Sequence, residues 1–287
     1  MTEHAMLHHA PDWQGDLDRF RAVCTPQRCV IDGHEWAYIQ RGSGAQTVLI
    51  LPGGLAIAET AFRYIQCLEA RYRVLAPTYP ETITTIAELV EGLVKLVQAE
   101  QIPRIHVVGG SYSGLIAQCF VRHVSGIVEK LVLADTGVPR RSRAYQLALY
   151  QPLLTHLPLG VVRGLSSCGV ALFLGKLPAH RAFWWHYFRQ RIATMTRAAF
   201  LSHLAIWQDF DRSYQFTAHD LAGWHGRMLI IEAERDGLFR RPERMALRKL
   251  YPAAQIHTFE SRSHGASLAH MDDYITVIER FLADEGA

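Results

Sequence analysis

Short apolar runs of strand character alternate along the chain with segments of helical periodicity. Residues 27–32 and 35–42 flank Gly33 and predict an antiparallel strand pair joined by a tight turn. The run TVLIL at 47–51 is apolar throughout, which is typical of a parallel strand buried on both faces. Further apolar runs predict strands at 73–77, 105–109, 130–135, 227–233 and 255–259. This alternation predicts βαβ units and therefore a mostly parallel central sheet flanked by helices on both faces.

The segments between these runs are amphipathic. In residues 83–100 the apolar positions recur every three or four residues, which places Ile86, Leu89, Val90, Leu93, Leu96 and Val97 on one helical face. Further helices are predicted at about 114–123, 242–250 and 268–283.

The alternation stops between Pro139 and His225, where the sequence is helical or aromatic and shows no clear strand. This block separates two strands of the sheet, so we expect a helical lid over the sheet's carboxyl edge, where open α/β sheets bind ligands. The predicted organisation is an N-terminal extension (1–26), an α/β core (27–138 and 226–287) and a helical lid (139–225).

The composition is that of an ordinary globular protein and excludes several classes of function. Of the 287 residues 49% are hydrophobic and 20% are charged, which excludes a disordered or low-complexity chain. The net charge of +3 is too small to indicate nucleic acid or a membrane as the main partner. No apolar stretch reaches the ~18 residues that a membrane-spanning helix needs. We therefore expect a small-molecule substrate, and no feature of the sequence indicates an oligomer.

The cysteines and histidines indicate neither disulfides nor a metal site. The five cysteines are odd in number and form no CxxC pair, and the N-terminus lacks the basic start and apolar run of a signal peptide. A reduced, cytoplasmic protein is expected. The fifteen histidines form no HExxH motif and no Cys/His ligand spacing, so no metal is expected.

The segment VVGGSYSGLIAQ at 107–118 predicts a strand, a sharp turn and a helix, with Ser111 at the turn. A nucleophilic serine on such an elbow projects its hydroxyl above the sheet, and its neighbours must be small because the backbone passes close by. Gly109 stands two residues before Ser111, whereas Ser113 replaces the usual glycine two residues after it and is followed by Gly114. The alternative is a phosphate-binding turn, but GxGxxG and GxxxxGK motifs are both absent here.

A nucleophilic serine needs a base, and the base needs an acid that orients it. An elbow serine is associated with the chain order Ser, Asp or Glu, His. Asp236 follows the strand at 227–233 and His264 follows the strand at 255–259, so both are expected at the same edge as Ser111. The alternatives are Asp135 and Glu234 as the acid and His270 as the base.

An oxyanion hole needs two backbone N–H groups aimed at the developing negative charge. The strand at 47–51 is followed by Pro52, Gly53 and Gly54, and the glycines let the backbone turn an N–H inward without a Cβ clash. We expect the N–H groups of Gly54 and of Tyr112, directly after the nucleophile, to form this hole. Leu55 is the neighbouring candidate and a predicted substrate contact.

Together these pieces resemble the α/β-hydrolase fold superfamily over about residues 28–283. The matching motifs occur in the family's order and are LPGG (51–54), GGSYSG (109–114), EAERD (232–236) and SRSH (261–264). The stretch RYRVLAPTYP (71–80) is similar to the maspardin-like branch. Pro52 departs from the family's HG motif, and Thr78, Tyr79 and Pro80 replace its Asp-x-x-Gly loop. The resemblance implies an α/β-hydrolase fold with a lid, acyl transfer through a Ser–His–Asp triad and no cofactor.

Aromatic residues are dense in the predicted lid and favour an apolar or aromatic substrate, although the lid's own core explains most of them. Trp184 and Trp185 are the candidate substrate contacts among them. Arginines 181, 189, 191 and 197 suit an acidic substrate or solvated helix faces equally well.

The leading functional hypothesis is a serine hydrolase of a carboxylic ester, thioester or lactone. One alternative is a cofactor-free C–C hydrolase, lyase or cyclase on the same scaffold. Another is a ligand-binding or scaffold protein that kept the fold.

Overall fold

A computed structural model describes residues 12–174 and 180–284 of the chain. Residues 1–11 of the predicted N-terminal extension, 175–179 of the predicted lid and 285–287 of the predicted core lie outside these ranges.

The described residues contain an eight-stranded sheet, and its strands lie where the hydrophobic pattern predicts them. They are β1 (Gln27–Ile31), β2 (His34–Arg41), β3 (Thr47–Leu51), β4 (Arg73–Thr78), β5 (Ile105–Gly110), β6 (Val128–Ala134), β7 (Arg227–Ala233) and β8 (Gln255–Phe259). The prediction is least accurate for β6, which begins and ends before the predicted 130–135.

The strand order is β1-β2-β4-β3-β5-β6-β7-β8. Strand β2 runs antiparallel to β1 and to β4, and Gly33 at the turn between β1 and β2 has a φ of +81°. All other neighbouring strands are parallel. The carboxyl ends of β3 to β8 therefore share one edge of the sheet, and the loops that follow these strands meet there.

The helices lie on both faces of this sheet. They are α1 (Trp13–Val23), α2 (Phe62–Leu68), α3 (Ile86–Ala99), α4 (Tyr112–His123), α5 (Arg141–Ala148), α6 (Gln151–His156), α7 (Leu159–Leu174), α8 (Arg181–Thr194), α9 (Arg197–Ser213), α10 (Arg241–Leu250), α11 (Ala266–Ala269) and α12 (Met271–Ala283). Helix α4 begins two residues earlier than predicted, because Ser111 is itself the N-cap. The helix predicted at 268–283 is divided at His270.

Two buried apolar clusters hold the layers together. Leu49 and Leu51 of β3 belong to one cluster, and Val48 and Ile50 belong to the other. Successive side chains of a strand point to opposite faces, so the fully apolar run at 47–51 packs against helices on both sides. Helix α1, which the hydrophobic pattern did not predict, adds three buried side chains to the second cluster, Trp13, Leu17 and Phe20.

Between β6 and β7 the described residues form five helices, α5 to α9. The buried guanidinium of Arg143 in α5 joins them to the core, since it pairs with Asp211 of α9 at 2.6 Å and with Glu243 of α10 at 2.7 Å. No helix in residues 12–174 or 180–284 combines the length and the apolar character that a transmembrane span requires.

Candidate active site

Ser111 connects β5 to α4 in a backbone conformation that residues other than glycine rarely adopt, with φ 52° and ψ −122°. Its N–H donates to the carbonyl of Ala134 at 2.8 Å. Its own carbonyl accepts from the Thr136 hydroxyl at 2.8 Å and from the N–H of Gly114 at 3.1 Å. Such a conformation costs about 1–3 kcal/mol and persists only where the surroundings hold it. These three bonds hold the elbow that was predicted from the sequence.

The small residues around Ser111 are required by close backbone contacts. A Cβ on Gly109 would lie 2.7 Å from the Ser113 carbonyl oxygen, and a Cβ on Gly114 would lie 2.6 Å from Oγ1 of Thr136. Ser113 is fully buried, and its hydroxyl donates to the Gly110 carbonyl at 2.9 Å and accepts from the Gly110 N–H at 3.0 Å. Ser113, at the fifth position of the motif, therefore stabilises the turn through its hydrogen bonds. The second position that has no room for a Cβ is Gly114.

Three predicted residues form one hydrogen-bonded series. Oγ of Ser111 lies 2.9 Å from Nε2 of His264, and Nδ1 of His264 lies 2.7 Å from Oδ2 of Asp236. The other carboxylate oxygen of Asp236 accepts from the N–H groups of Leu238 at 2.7 Å and Phe239 at 2.8 Å. The Asp236 side chain has no exposed surface, so this series lies largely out of water.

The loop that carries His264 is held from several sides. Rings of Phe239 and Phe173 lie 5.5 Å and 6.0 Å from the imidazole, measured between ring centroids. The carboxylate of Glu234 accepts from the N–H of Ser261 at 2.8 Å. Glu234, an alternative acid at the sequence level, therefore binds the backbone of this loop. Sequence reasoning did not single out Phe173, Phe239 or Thr136 as site residues.

Asp135, the other alternative acid, forms its hydrogen bonds with groups outside this series. Its Oδ1 accepts from the N–H of Ala233 at 2.9 Å, and its Oδ2 accepts from the hydroxyl of Tyr274 at 2.8 Å. Burial raises the pKa of Asp135 to about 7, and the neighbouring Asp236 also raises it. In this structure Asp236, not Asp135, is hydrogen-bonded to His264.

Three other histidines, His106, His203 and His270, are not arranged for this chemistry. His270, the alternative base, has its pKa lowered by burial and then by Arg262, and Ser111 is bonded to His264 instead. Burial also lowers the pKa of His106 and of His203 to about 4, so both are neutral at pH 7. Within residues 12–174 and 180–284, no group of three or more His, Cys, Asp or Glu side chains is placed to hold a metal ion.

The two N–H groups that are predicted to form the oxyanion hole, those of Gly54 and Tyr112, donate to no group in the described part of the protein. Among the described residues, no hydrogen-bond acceptor engages the N–H of Gly54 in the loop after β3 or the N–H of Tyr112. Tyr112 is the first residue of α4, and the first N–H groups of a helix have no partner within it. Both N–H groups are therefore available to an anion.

A cavity of about 540 Å³ adjoins this loop and the start of α4. Its lining includes Trp36, Leu55, Tyr79, Tyr112, Met195 and Ile206. Leu55, the predicted substrate contact in the loop after β3, thus lies in the wall of a cavity. Arg191 lines the cavity, whereas Arg181, Arg189 and Arg197 are not among its lining residues.

The two predicted tryptophan contacts lie elsewhere. Trp184 is buried in the second apolar cluster, and its indole N–H donates to the carbonyl of Leu268 at 3.1 Å. Trp185 is partly buried against the same cluster. The Trp184 ring packs edge-on against Trp13 of α1, with the ring centroids 5.8 Å apart, a contact that no local pattern indicates.

The amino-acid sequence that builds this site is similar to that of known proteins. Residues 48–278 match the sequence model of the alpha/beta hydrolase family. Maspardin from Danio rerio is 29% identical over 129 residues, which are 42% of this chain. The match spans 41% of the length of that relative.

The fold is shared with several solved hydrolases. A hydrolase from Pseudomonas aeruginosa has a TM-score of 0.75 at 19% identity, with 90% of this chain and 98% of that chain covered. An enol-lactonase from Burkholderia xenovorans has a TM-score of 0.74 at 14% identity, with 90% and 100% covered. A meta-cleavage product hydrolase from Pseudomonas fluorescens has a TM-score of 0.70 at 20% identity, with 91% and 98% covered.

Proposed function

We propose that this chain, which belongs to the alpha/beta hydrolase family, hydrolyses a carboxylic ester, thioester or lactone through an acyl-enzyme on Ser111. The observation that carries the proposal is the hydrogen-bonded series from Ser111 through His264 to Asp236. A serine hydroxyl is a weak nucleophile at neutral pH, and a neighbouring general base activates it.

The arrangement of the carboxylate supports His264 as this base. The Asp236 carboxylate accepts a hydrogen bond from Nδ1 of His264. The imidazole proton therefore resides on Nδ1, and the lone pair of Nε2 faces the Ser111 hydroxyl. The two backbone N–H groups on Oδ1 keep the carboxylate from rotating. His264 is therefore oriented to take the serine proton as Oγ attacks.

In the first half of the reaction, Oγ of Ser111 forms a bond to the carbonyl carbon while its proton passes to Nε2 of His264. The carbonyl electron pair moves onto oxygen, and the N–H groups of Gly54 and Tyr112 donate to that oxyanion. The intermediate collapses, the bond to the leaving alcohol or thiol breaks, and His264 returns the proton to the leaving group.

In the second half, water replaces the serine as nucleophile and His264 again takes a proton. The water oxygen bonds to the acyl carbon, the acyl–Ser111 bond breaks, and His264 returns the proton to Oγ, which releases the carboxylic acid and restores the serine hydroxyl. Every step uses side chains and backbone N–H groups of this chain together with water.

The cavity that is lined by Leu55 and Tyr112, the residues directly after Gly54 and Ser111, is our proposed acyl pocket. Its volume of about 540 Å³ falls within the range of small-molecule sites, roughly 300–1,000 Å³. Trp36, Tyr79, Met195 and Ile206 contribute apolar and aromatic surface to its walls, which favours an apolar or aromatic acyl group over a strongly polar one.

We further propose that α5 to α9 act as the lid over this site. Helix α8 ends at Thr194 beside the cavity, α9 contributes Ile206 to its wall, and α7 contributes Phe173 to the surroundings of His264. Residues of the lid thus contact both the acyl pocket and the base. The extent of the core and lid units, 27–138 with 226–287 and 139–225, is part of this proposal.

The test is acyl-enzyme trapping. Wild-type protein is mixed with a panel of p-nitrophenyl esters, quenched in acid before steady state and digested for mass spectrometry. We expect an acyl adduct on the peptide that contains Ser111 and turnover of at least one ester. Ser111→Ala should lose the adduct and at least ~10³-fold in turnover.

Ser142→Ala, at an exposed serine of α5, is the matched control and should retain both adduct and turnover. Turnover that survives in Ser111→Ala contradicts the proposal. An acyl adduct also distinguishes hydrolysis through Ser111 from lyase or cyclase chemistry, in which the serine only binds the substrate.

A further inference from the structure

The outward side of helix α7 is apolar along its length. Val161, Leu165, Cys168 and Leu172 follow one another at spacings of three or four residues, which places them on one side of the helix. All four are exposed, Leu165 to 59% and Leu172 to 76%. The two buried residues of the helix, Val162 and Leu174, lie outside this stripe. Helix α7 thus carries an apolar stripe that no described residue covers.

The neighbouring helices extend this apolar surface. Helix α6 packs against both α5 and α7, and Tyr145, Leu149, Tyr150 and Leu153 on α5 and α6 or at the junction between them are exposed. Single exposed hydrophobic side chains are ordinary on a protein surface. Here, however, seven of the twelve large hydrophobic side chains exposed among the described residues lie between positions 145 and 172. A concentration of this kind marks an interaction surface.

The same region carries positive charge alone. Between Asp135 and Asp209 the sequence contains no Asp or Glu, but it contains nine Lys and Arg residues. The net charge of the whole chain is +3, so all other residues together carry −6. A modest overall charge therefore conceals a strongly cationic segment, residues 136–208, in a chain whose other residues are together anionic.

Three of the lid cations are exposed and have no carboxylate partner within the described part of the chain. They are Arg141 of α5 and Arg181 and Arg189 of α8. Arg141 shares a helix face with Tyr145 and Leu149, since the three are four residues apart. Positive charge and exposed apolar side chains are therefore side by side on α5.

We propose that α5, α6 and α7 dock on the surface of an anionic lipid bilayer. Exposed apolar side chains enter the boundary between headgroups and acyl chains, and arginine side chains bind the lipid phosphates. A second copy of this chain fits the surface less well, because α5, α6 and α7 contain no acidic residue and two such surfaces would face each other with like charges. The helices lie on the bilayer and do not cross it.

The proposal does not depend on the proposed hydrolase activity, and its test measures binding. Wild-type protein is sedimented with vesicles of phosphatidylcholine alone and of phosphatidylcholine mixed with phosphatidylglycerol. We expect binding to the anionic vesicles, weaker binding to the neutral ones, and a loss of affinity as salt concentration rises.

Two sets of variants test the two parts of the surface. The double substitution Leu165→Gln with Leu172→Gln should weaken binding to anionic vesicles more than tenfold. Val23→Gln with Val30→Gln alters two similarly exposed valines outside the lid, 66% and 69% exposed, and should leave binding unchanged. Replacing Arg141, which lies beside Tyr145 and Leu149, by Gln should weaken binding about fivefold, whereas Arg104→Gln on the core should not weaken it.

Several results would overturn the proposal. One is wild-type protein that stays in the supernatant with anionic vesicles. Another is equal binding by the leucine double variant and the valine control. A third is a wild-type dimer in light scattering that the leucine substitutions convert to monomer, since the apolar surface would then serve a second copy.

Discussion

Oδ2 of Asp236 lies 2.7 Å from Nδ1 of His264, while Oδ1 of the same carboxylate accepts from the backbone N–H groups of Leu238 and Phe239. The loop after β7 therefore fixes the carboxylate independently of the imidazole. This arrangement lets the carboxylate select one tautomer of His264, the one whose Nε2 can accept the proton of Ser111.

Asp236→Asn should preserve the fold and remove the tautomer selection. The amide oxygen can still accept from Leu238 and Phe239, but the amide nitrogen then faces Nδ1 as a donor. We expect the turnover number to fall by ~10⁴-fold, as in other Ser–His–Asp sites. Ester kinetics and urea unfolding of the same preparation measure both effects. An Asn variant within tenfold of wild-type turnover would show that Asp236 is not the orienting acid.

Gly114→Ala should damage the elbow although alanine favours helices. The new Cβ would lie 2.6 Å from Oγ1 of Thr136, which donates to the Ser111 carbonyl. Overpacking of this kind costs about 1–3 kcal/mol in the free energy of unfolding, and turnover should fall with it. Gly164→Ala in α7 is the matched control: its Cβ meets nothing within 4 Å, so stability should rise by about 0.5–1 kcal/mol. Equal effects of the two substitutions would contradict this packing.

Arg143→Met should destabilise the contact between lid and core. The guanidinium is buried and pairs with the buried carboxylates of Asp211 and Glu243. Its removal leaves Asp211 without a cation and Glu243 with only the longer pair to Arg140 at 3.5 Å, which should lower the free energy of unfolding by about 3–5 kcal/mol in urea titrations. Arg141→Met, two residues earlier and exposed, should change it by less than about 0.5 kcal/mol. A small effect of Arg143→Met would mean that water already reaches these carboxylates.

Asp135→Asn should change how stability depends on pH. The pKa of Asp135 is raised in the folded protein from its ordinary 3.8 to about 7, so the folded state holds a proton that the unfolded state releases. Stability from this group is therefore lost as pH rises from about 4 to about 7. Relative to wild type, the Asn variant should gain up to about 4 kcal/mol across that range. Unfolding titrations at several pH values measure the difference, and a constant difference would contradict the raised pKa.

Local chemistry accounts for most of the predicted fold. The run at 47–51 predicts a strand because a strand that is buried on both faces must be apolar at every residue. The prediction that Ser111, Asp236 and His264 meet required only that their strands be parallel, because parallel strands end at a common edge. Helix α1 was missed, although Trp13, Leu17 and Phe20 have helical spacing, because so short a segment is weak evidence without its packing partners.

The sequence by itself determined the positions of the eight strands along the chain, the elbow at Ser111 and the strand ends that Asp236 and His264 follow. Only the tertiary structure decided that Asp236 and not Asp135 is hydrogen-bonded to His264, that Trp184 packs against α1 and not in the cavity, and which lid side chains stay exposed. The first group depends on short-range steric constraints and on the burial of whole strands. Both produce a recognisable pattern of residue types along the chain. The second group depends on which side chains from distant parts of the sequence pack together. The sequence around each of these residues does not indicate its packing partners.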